Sequence, residues 1–186
     1  MTKLLKTRML AAFLCIFAAS AAVGQNPTAT GTINATLINS SGLAIAFDSA
    51  TSGVPLGASG SSAATLNFGT ITAYGSVPAG VTRTGPSGGS FTVSTPFNVN
   101  VTIGGITSQS YTLTAQLAAA APTGLTYKID SVTLTTGSQT VQANGTYGTD
   151  VGHTLYLQVS TASPGSGGPT VGSALSSTIN FTATAN

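Results

Sequence analysis

Phe97-Asn98-Val99-Asn100-Val101-Thr102-Ile103 decides the fold class, because four apolar side chains alternate with three polar ones. An alternation of period two sends every apolar residue to one face of an extended chain, which is the pattern of a half-buried β-strand. Upstream, Phe91 and Val93 follow the same rule as far as Pro96. Proline has no N–H to give a ladder, so Pro96 predicts an edge position or a bulge. Downstream, Tyr111, Leu113, Ala115 and Leu117 make another strand, and Val151, His153, Leu155, Leu157 and Val159 a further one.

The rest of the chain continues in this style. Ala29, Gly31, Ile33, Ala35 and Leu37 alternate with polar residues, and Leu43, Ile45 and Phe47 follow after Asn39-Ser40-Ser41-Gly42, predicting two early strands joined by a turn. A Gly/Ser-rich stretch from Ser49 to Ala64 leads to a strand around Leu66 and Phe68, and Gly75 to Gly89 reads as loop. Ala118 to Gly124 is a connection, helix being the weaker alternative there. Leu125, Tyr127 and Ile129 change parity at Val132 and Leu134, which places a bulge or bend at Asp130-Ser131. Asn144-Gly145 predicts a hairpin turn, and Ala162 to Gly172 a loop before a closing strand with Leu175, Ile179, Phe181 and Ala183. About 8–10 short strands without an amphipathic helix predict one all-β domain, a β-sandwich with Greek-key connections.

Charged residues make up 4% of the 186 residues, against about 25% in an average soluble domain. Acid–base catalysis, a carboxylate metal cage and a phosphate-binding patch all need such groups, so enzyme and nucleic-acid readings start from scarce material. Lys3, Lys6 and Arg8 precede an apolar run through Val23, and Ala22-Val23-Gly24 supplies small residues for cleavage. Residues 1–24 are therefore expected to be a secretory signal peptide and residues 25–186 a single domain. The run is too short for a span of about 20 apolar residues, so no membrane span is expected after cleavage. Cys15 lies inside the signal, so the mature chain would have no disulfide. Two cations, Arg83 and Lys128, then face three anions, Asp48, Asp130 and Asp150, for a net charge of −1.

Little in the mature chain suggests chemistry. His153 shares the parity of Leu155 and Leu157, which points it at the core rather than toward Asp150. The three aspartates are scattered, Asp150 near Asn144 being the least poor calcium candidate. No cofactor, metal or catalytic residue is assigned. Residues 25–38 carry the more informative feature: Ala29, Gly31, Ile33, Ala35 and Leu37 put small apolar side chains where a core strand usually carries bulk. They form either the first strand of the chain's own sheet or a donor strand for a neighbouring subunit by β-strand addition. Tyr74, Tyr147 and Tyr156 are candidate surface-binding aromatics, Tyr156 facing outward by parity.

Leu66-Asn67-Phe68-Gly69-Thr70, Tyr111-Thr112-Leu113, Val151-Gly152 and Ile179-Asn180-Phe181-Thr182, with the small-residue first strand, resemble the exported pilin-like domains of the spore coat protein U type. The resemblance implies an immunoglobulin-like sandwich that needs a donor strand. It also implies export by a periplasmic chaperone and outer-membrane usher, and assembly with identical or related subunits into a fimbrium at the cell surface. Ala185 stands where chaperone-dependent pilins often carry an aromatic. A self-complete surface adhesin or glycan-binding sandwich would leave nearly the same sequence trace.

Overall fold

The computed structural model describes residues 32–39, 43–87, 89–105, 108–160 and 175–186. Eleven strands lie among them: β1 (Thr32–Asn39), β2 (Ala44–Ser49), β3 (Ala63–Thr70), β4 (Thr82–Ser87), β5 (Ser90–Thr102), β6 (Tyr111–Leu117), β7 (Leu125–Ile129), β8 (Val132–Thr133), β9 (Gln139–Gly145), β10 (Asp150–Ser160) and β11 (Leu175–Ala185). Five form one sheet in the order β3-β1-β11-β6-β9. The second sheet runs β2-β5-β10-β7-β8, with β4 paired to β5 alongside β2. The two pack face to face as an all-β sandwich. No helix among the described residues is long and apolar enough to cross a membrane.

Period-two alternation sets the layers. β5 and β6 bury every second residue, and Phe97, Val99, Val101, Leu113, Leu155 and Leu157 are wholly enclosed between the sheets. Aromatic rings join the layers: Phe181 of the first sheet lies 5.1 Å from Phe47 and 6.2 Å from Phe97 of the second, centroid to centroid. Such tilted ring pairs add about 0.5–1.5 kcal/mol beyond the area they bury.

The pairings nest. β7 pairs with β8, β6 with β9, β5 with β10 and β1 with β11, and each rung lies in the opposite sheet from the one before. The three inner rungs are antiparallel, as in a long hairpin wrapped across two layers, the kind of winding found in a jelly roll. The outermost pair, β1 with β11, is parallel and so does not continue that hairpin. In an immunoglobulin sandwich the last two strands are neighbours in one sheet. Here β10 and β11 lie in opposite sheets, so the sandwich is as expected while the immunoglobulin-like order is not confirmed.

Several local expectations are corrected. β1 and β2 are consecutive strands but belong to different sheets. The stretch Gly75 to Gly89, expected to be loop, contains β4. Pro96 interrupts nothing: β5 is continuous, and its ladder with β10 runs unbroken from Asn100↔Asp150 to Ser90↔Ser160. On its other side β5 pairs with β4 as far as Ser94 and with β2 from Phe97 onward. Pro96 sits at the changeover, where β5 lacks a ladder partner on that side, so its missing N–H costs no ladder bond there. The loop after β2 covers this gap. A Cβ at Gly53 would come within 2.1 Å of the Pro96 carbonyl oxygen, so only glycine permits the approach.

Asn144-Gly145 is not a hairpin turn. Both residues belong to β9, and the chain leaves β9 for the other sheet. The positive φ of Asn144 (54°) serves a register shift in the β6·β9 ladder, and Gly145 lies against Tyr111, where a Cβ would sit 2.3 Å from the ring. The bend expected at Asp130-Ser131 is present as the tight turn between β7 and β8, with Asp130 at φ 53°. The expected loop from Ala162 to Gly172 lies outside the described residues.

Thr95 is a buried polar side chain that ties the covering loop to β5: its Oγ1 accepts the Val54 backbone N–H at 2.8 Å. Replacing Thr95 by Val strands that N–H and should lower unfolding free energy by about 1–3 kcal/mol. Thr92→Val, on the outward side of the same strand, should stay within about 0.5 kcal/mol. Urea denaturation of the two variants measures the difference.

Candidate functional site

The outward face of the second sheet carries a concave polar surface, and the β10 ladders build it. Tyr156 stands between Ser94 of β5 and Lys128 of β7, and Gln158 between Thr92 and Thr126. Each of these alternates with the buried residues Leu155, Leu157 and Val159, which fixes its outward direction. Thr92, Lys128, Asp130, Ser131, Tyr156 and Gln158 line a hollow of about 300 Å³. Gln158 also borders a second hollow of about 370 Å³, reaching Ser90, Gly124 and Ser160, and its Nε2 donates to Ser90 Oγ at 3.3 Å. The lining offers one aromatic ring, one ammonium group, an amide and several hydroxyls.

Asp130 is already committed at the rim of that hollow. One carboxylate oxygen accepts the Thr154 backbone N–H at 2.8 Å, and the other is 2.8 Å from Nδ1 of His153. The Asp130 N–H in turn donates to the Thr154 carbonyl. Together these bonds pin the β7–β8 turn onto β10. His153 is 4% exposed and lies against Phe97, as its parity predicts, with Nε2 buried and lacking a hydrogen-bond partner among the described residues. That nitrogen is closed off from solvent, and His153 is not among the residues that line the hollow. Its carboxylate partner is Asp130 rather than Asp150, which accepts instead from Asn100 Nδ2 at 2.8 Å. No group of three His, Cys, Asp or Glu side chains among the described residues is close enough to hold a metal ion.

The other candidate residues lie elsewhere. Ala35 and Leu37 are fully buried in β1, Ile33 pairs through its backbone with Leu175 and Gly69, and Ala29 and Gly31 are outside the described residues. β1 is an interior strand, with β3 on one side and β11 on the other. Tyr74 is 48% exposed on the loop after β3, where Arg83 donates to the Thr72 carbonyl. Tyr147 is half-buried, its ring 5.2 Å from that of Tyr111 and its hydroxyl donating to the Ser110 carbonyl at 3.1 Å. Neither lines the Tyr156 hollow. No known protein-family model matches the chain, and no curated protein matches it in sequence.

Two tyrosines are electrostatically distinct. Burial pushes the Tyr111 hydroxyl above the usual phenol value, with Tyr147 adding to the shift, and burial does the same to Tyr127. The Tyr127 hydroxyl points toward Ser177 of the facing sheet without closing a hydrogen bond of good geometry, so desolvation dominates. Both groups ionise more readily in the unfolded chain, which binds fewer protons than the native state above about pH 10. Stability should be insensitive to these groups below that pH and fall as pH rises through the interval up to their folded values. Ultraviolet titration should show two of the tyrosines ionising late, and Tyr127→Phe should remove one of them.

Proposed function

We propose that the chain is a non-catalytic, exported structural protein of the bacterial cell surface, a pilin-like subunit that assembles with identical or related subunits by exchanging β1. One observation carries the reading: β1, the first strand among the described residues, fills a slot between β3 and β11 using backbone ladders on both sides and the buried side chains of Ala35 and Leu37. A first strand can leave such a slot without unthreading any other, and the same strand from a second copy would restore every contact. Its ladder with β11 is parallel, the slightly weaker kind of pairing. β1 carries no charged residue to oppose re-pairing. Passage through a periplasmic chaperone and an outer-membrane usher belongs to the same proposal.

Locking β1 at home tests it. Thr36 and Thr65 are register partners on β1 and β3, and the mature chain has no cysteine of its own, so Thr36→Cys with Thr65→Cys creates a reducible staple. The oxidised protein should remain monomeric and the reduced protein should form oligomers on sizing columns and fibres under negative stain. Equal assembly in both states, or no assembly of the unmodified protein, would contradict strand exchange.

The Tyr156 hollow favours a second reading, a self-complete adhesin that holds a glycan on the second sheet. An outward aromatic ring beside an ammonium group, an amide and hydroxyls suits a polar ligand with an apolar face. Tyr156→Ala should then abolish glycan-array binding while leaving the melting temperature nearly unchanged, and an array without hits for the unaltered protein would sink this reading.

A further inference from the structure

Charge is divided between the sheets. All five charged side chains of the mature chain belong to the second sheet or its turn: Asp48 on β2, Arg83 on β4, Lys128 on β7, Asp130 beside it and Asp150 on β10. The five strands of the first sheet carry none. Its outward side chains fall into rows across the strands: Thr65, Thr36 and Thr178 are register neighbours on β3, β1 and β11, and Thr140, Thr114 and Thr182 on β9, β6 and β11. Hydroxyls in such a row repeat at about 4.8 Å, and successive outward positions along a strand at about 6.7 Å. Beside the first row, Asn34 has a side-chain oxygen shielded from solvent and without a hydrogen-bond partner among the described residues.

We propose that this face is a docking surface for a neutral, hydroxyl-rich polysaccharide lying flat across the strands. Nucleic acid and anionic surfaces need cations, which the five strands lack. A charged polymer would lose hydration here with no counter-charge to replace it. A second copy of the chain is a poorer fit, because protein interfaces are anchored by aromatic and other large apolar side chains, and Tyr74 is the sole exposed large hydrophobic among the described residues. A rigid crystal such as ice is also poorer, since each strand turns about 20–25° from the next and a flat lattice loses register over five strands. A flexible chain of sugars can follow that twist, exchanging its hydroxyls with the threonine rows. The surface is the same whichever copy supplies β1, so it does not rest on strand exchange.

Affinity electrophoresis of the mature protein tests the assignment, with mixed-linkage glucan, mannan and alginate in the gel and cellulose and chitin in sedimentation assays. At least one neutral polymer should retard or retain the protein, equally at low and high salt. Thr65 and Thr140 are exposed at opposite sides of the face, so Thr65→Lys with Thr140→Lys should weaken that binding by about tenfold or more without loss of fold by circular dichroism. Thr92→Lys and Tyr156→Ala, on the other sheet, should leave it intact. Binding to alginate alone, no binding to any neutral polymer, or neutral binding untouched by the paired lysines would overturn the proposal. So would ice shaping or self-association as the property that the lysines abolish.

Discussion

The ladder between β5 and β10 is the constraint on which the second sheet depends. It runs without a bulge from Asp150↔Asn100 to Ser160↔Ser90, and every other strand of that sheet attaches to one of its two members or to β7 beside it. Because β10 is long and regular, its inward residues wall the core while its outward residues form the Tyr156 surface. Pro96 shows how the long strand tolerates a residue that cannot donate: the outer partner changes from β4 to β2 at that point, and the loop through Gly53 and Val54 closes over it. A neighbouring bond network protects the sandwich edge, since Gly57 and Thr65 exchange backbone hydrogen bonds and Phe47 pairs with Ser61. The loop thus covers the margins of both β2 and β3, which would otherwise offer unpaired backbone to another chain.

The first sheet is organised on different terms. Its strands carry no charge, and it has one parallel rung and the first of the described strands held between two partners of the same molecule. An uncharged sheet is a hazard for a protein that must remain alone and suits one whose work is contact. The proposed strand exchange would use the rung at β1 and the proposed polysaccharide docking the outward threonine rows, and the two are compatible because one involves backbone and core while the other involves the opposite side of the same strands. The few charges serve local geometry on the second sheet, as Asp130 does in holding His153 and Thr154.

Strand interiors were legible in the sequence because burial follows alternation: Ile45 and Phe47, Phe97 to Val101, Tyr111 to Leu117 and Leu155 to Val159 all face the core as their parity predicts. β4 was not legible, since Thr82, Thr84, Gly85 and Pro86 are exposed and an unburied strand has no apolar rhythm. Asn144-Gly145 carried a true signal for positive φ, but a bulge demands the same backbone as a turn. The strand order was hidden for a related reason: alternation reports which face a residue occupies and is silent on which strand lies beside it. Asp130 and His153 are 23 positions apart and meet only through the β7·β10 pairing, so no local spacing announces them. Of the candidate aromatics, parity placed Tyr156 outward correctly, whereas the packing of Tyr147 on Tyr111 depends on where β9 ends.

The central claim is that β1 completes the sandwich as a separable element, while the nested ladders from β5 to β11 hold the remainder together. Native-state hydrogen exchange at increasing sub-denaturing urea measures this directly. The amides of β1 and their ladder partners on β3 should exchange together through an opening that costs clearly less free energy than global unfolding, while those of β5 and β10 exchange only with the whole molecule. If the β1 amides were released only at the global unfolding free energy, together with β5 and β10, β1 would be an inseparable part of the core and the account would be contradicted.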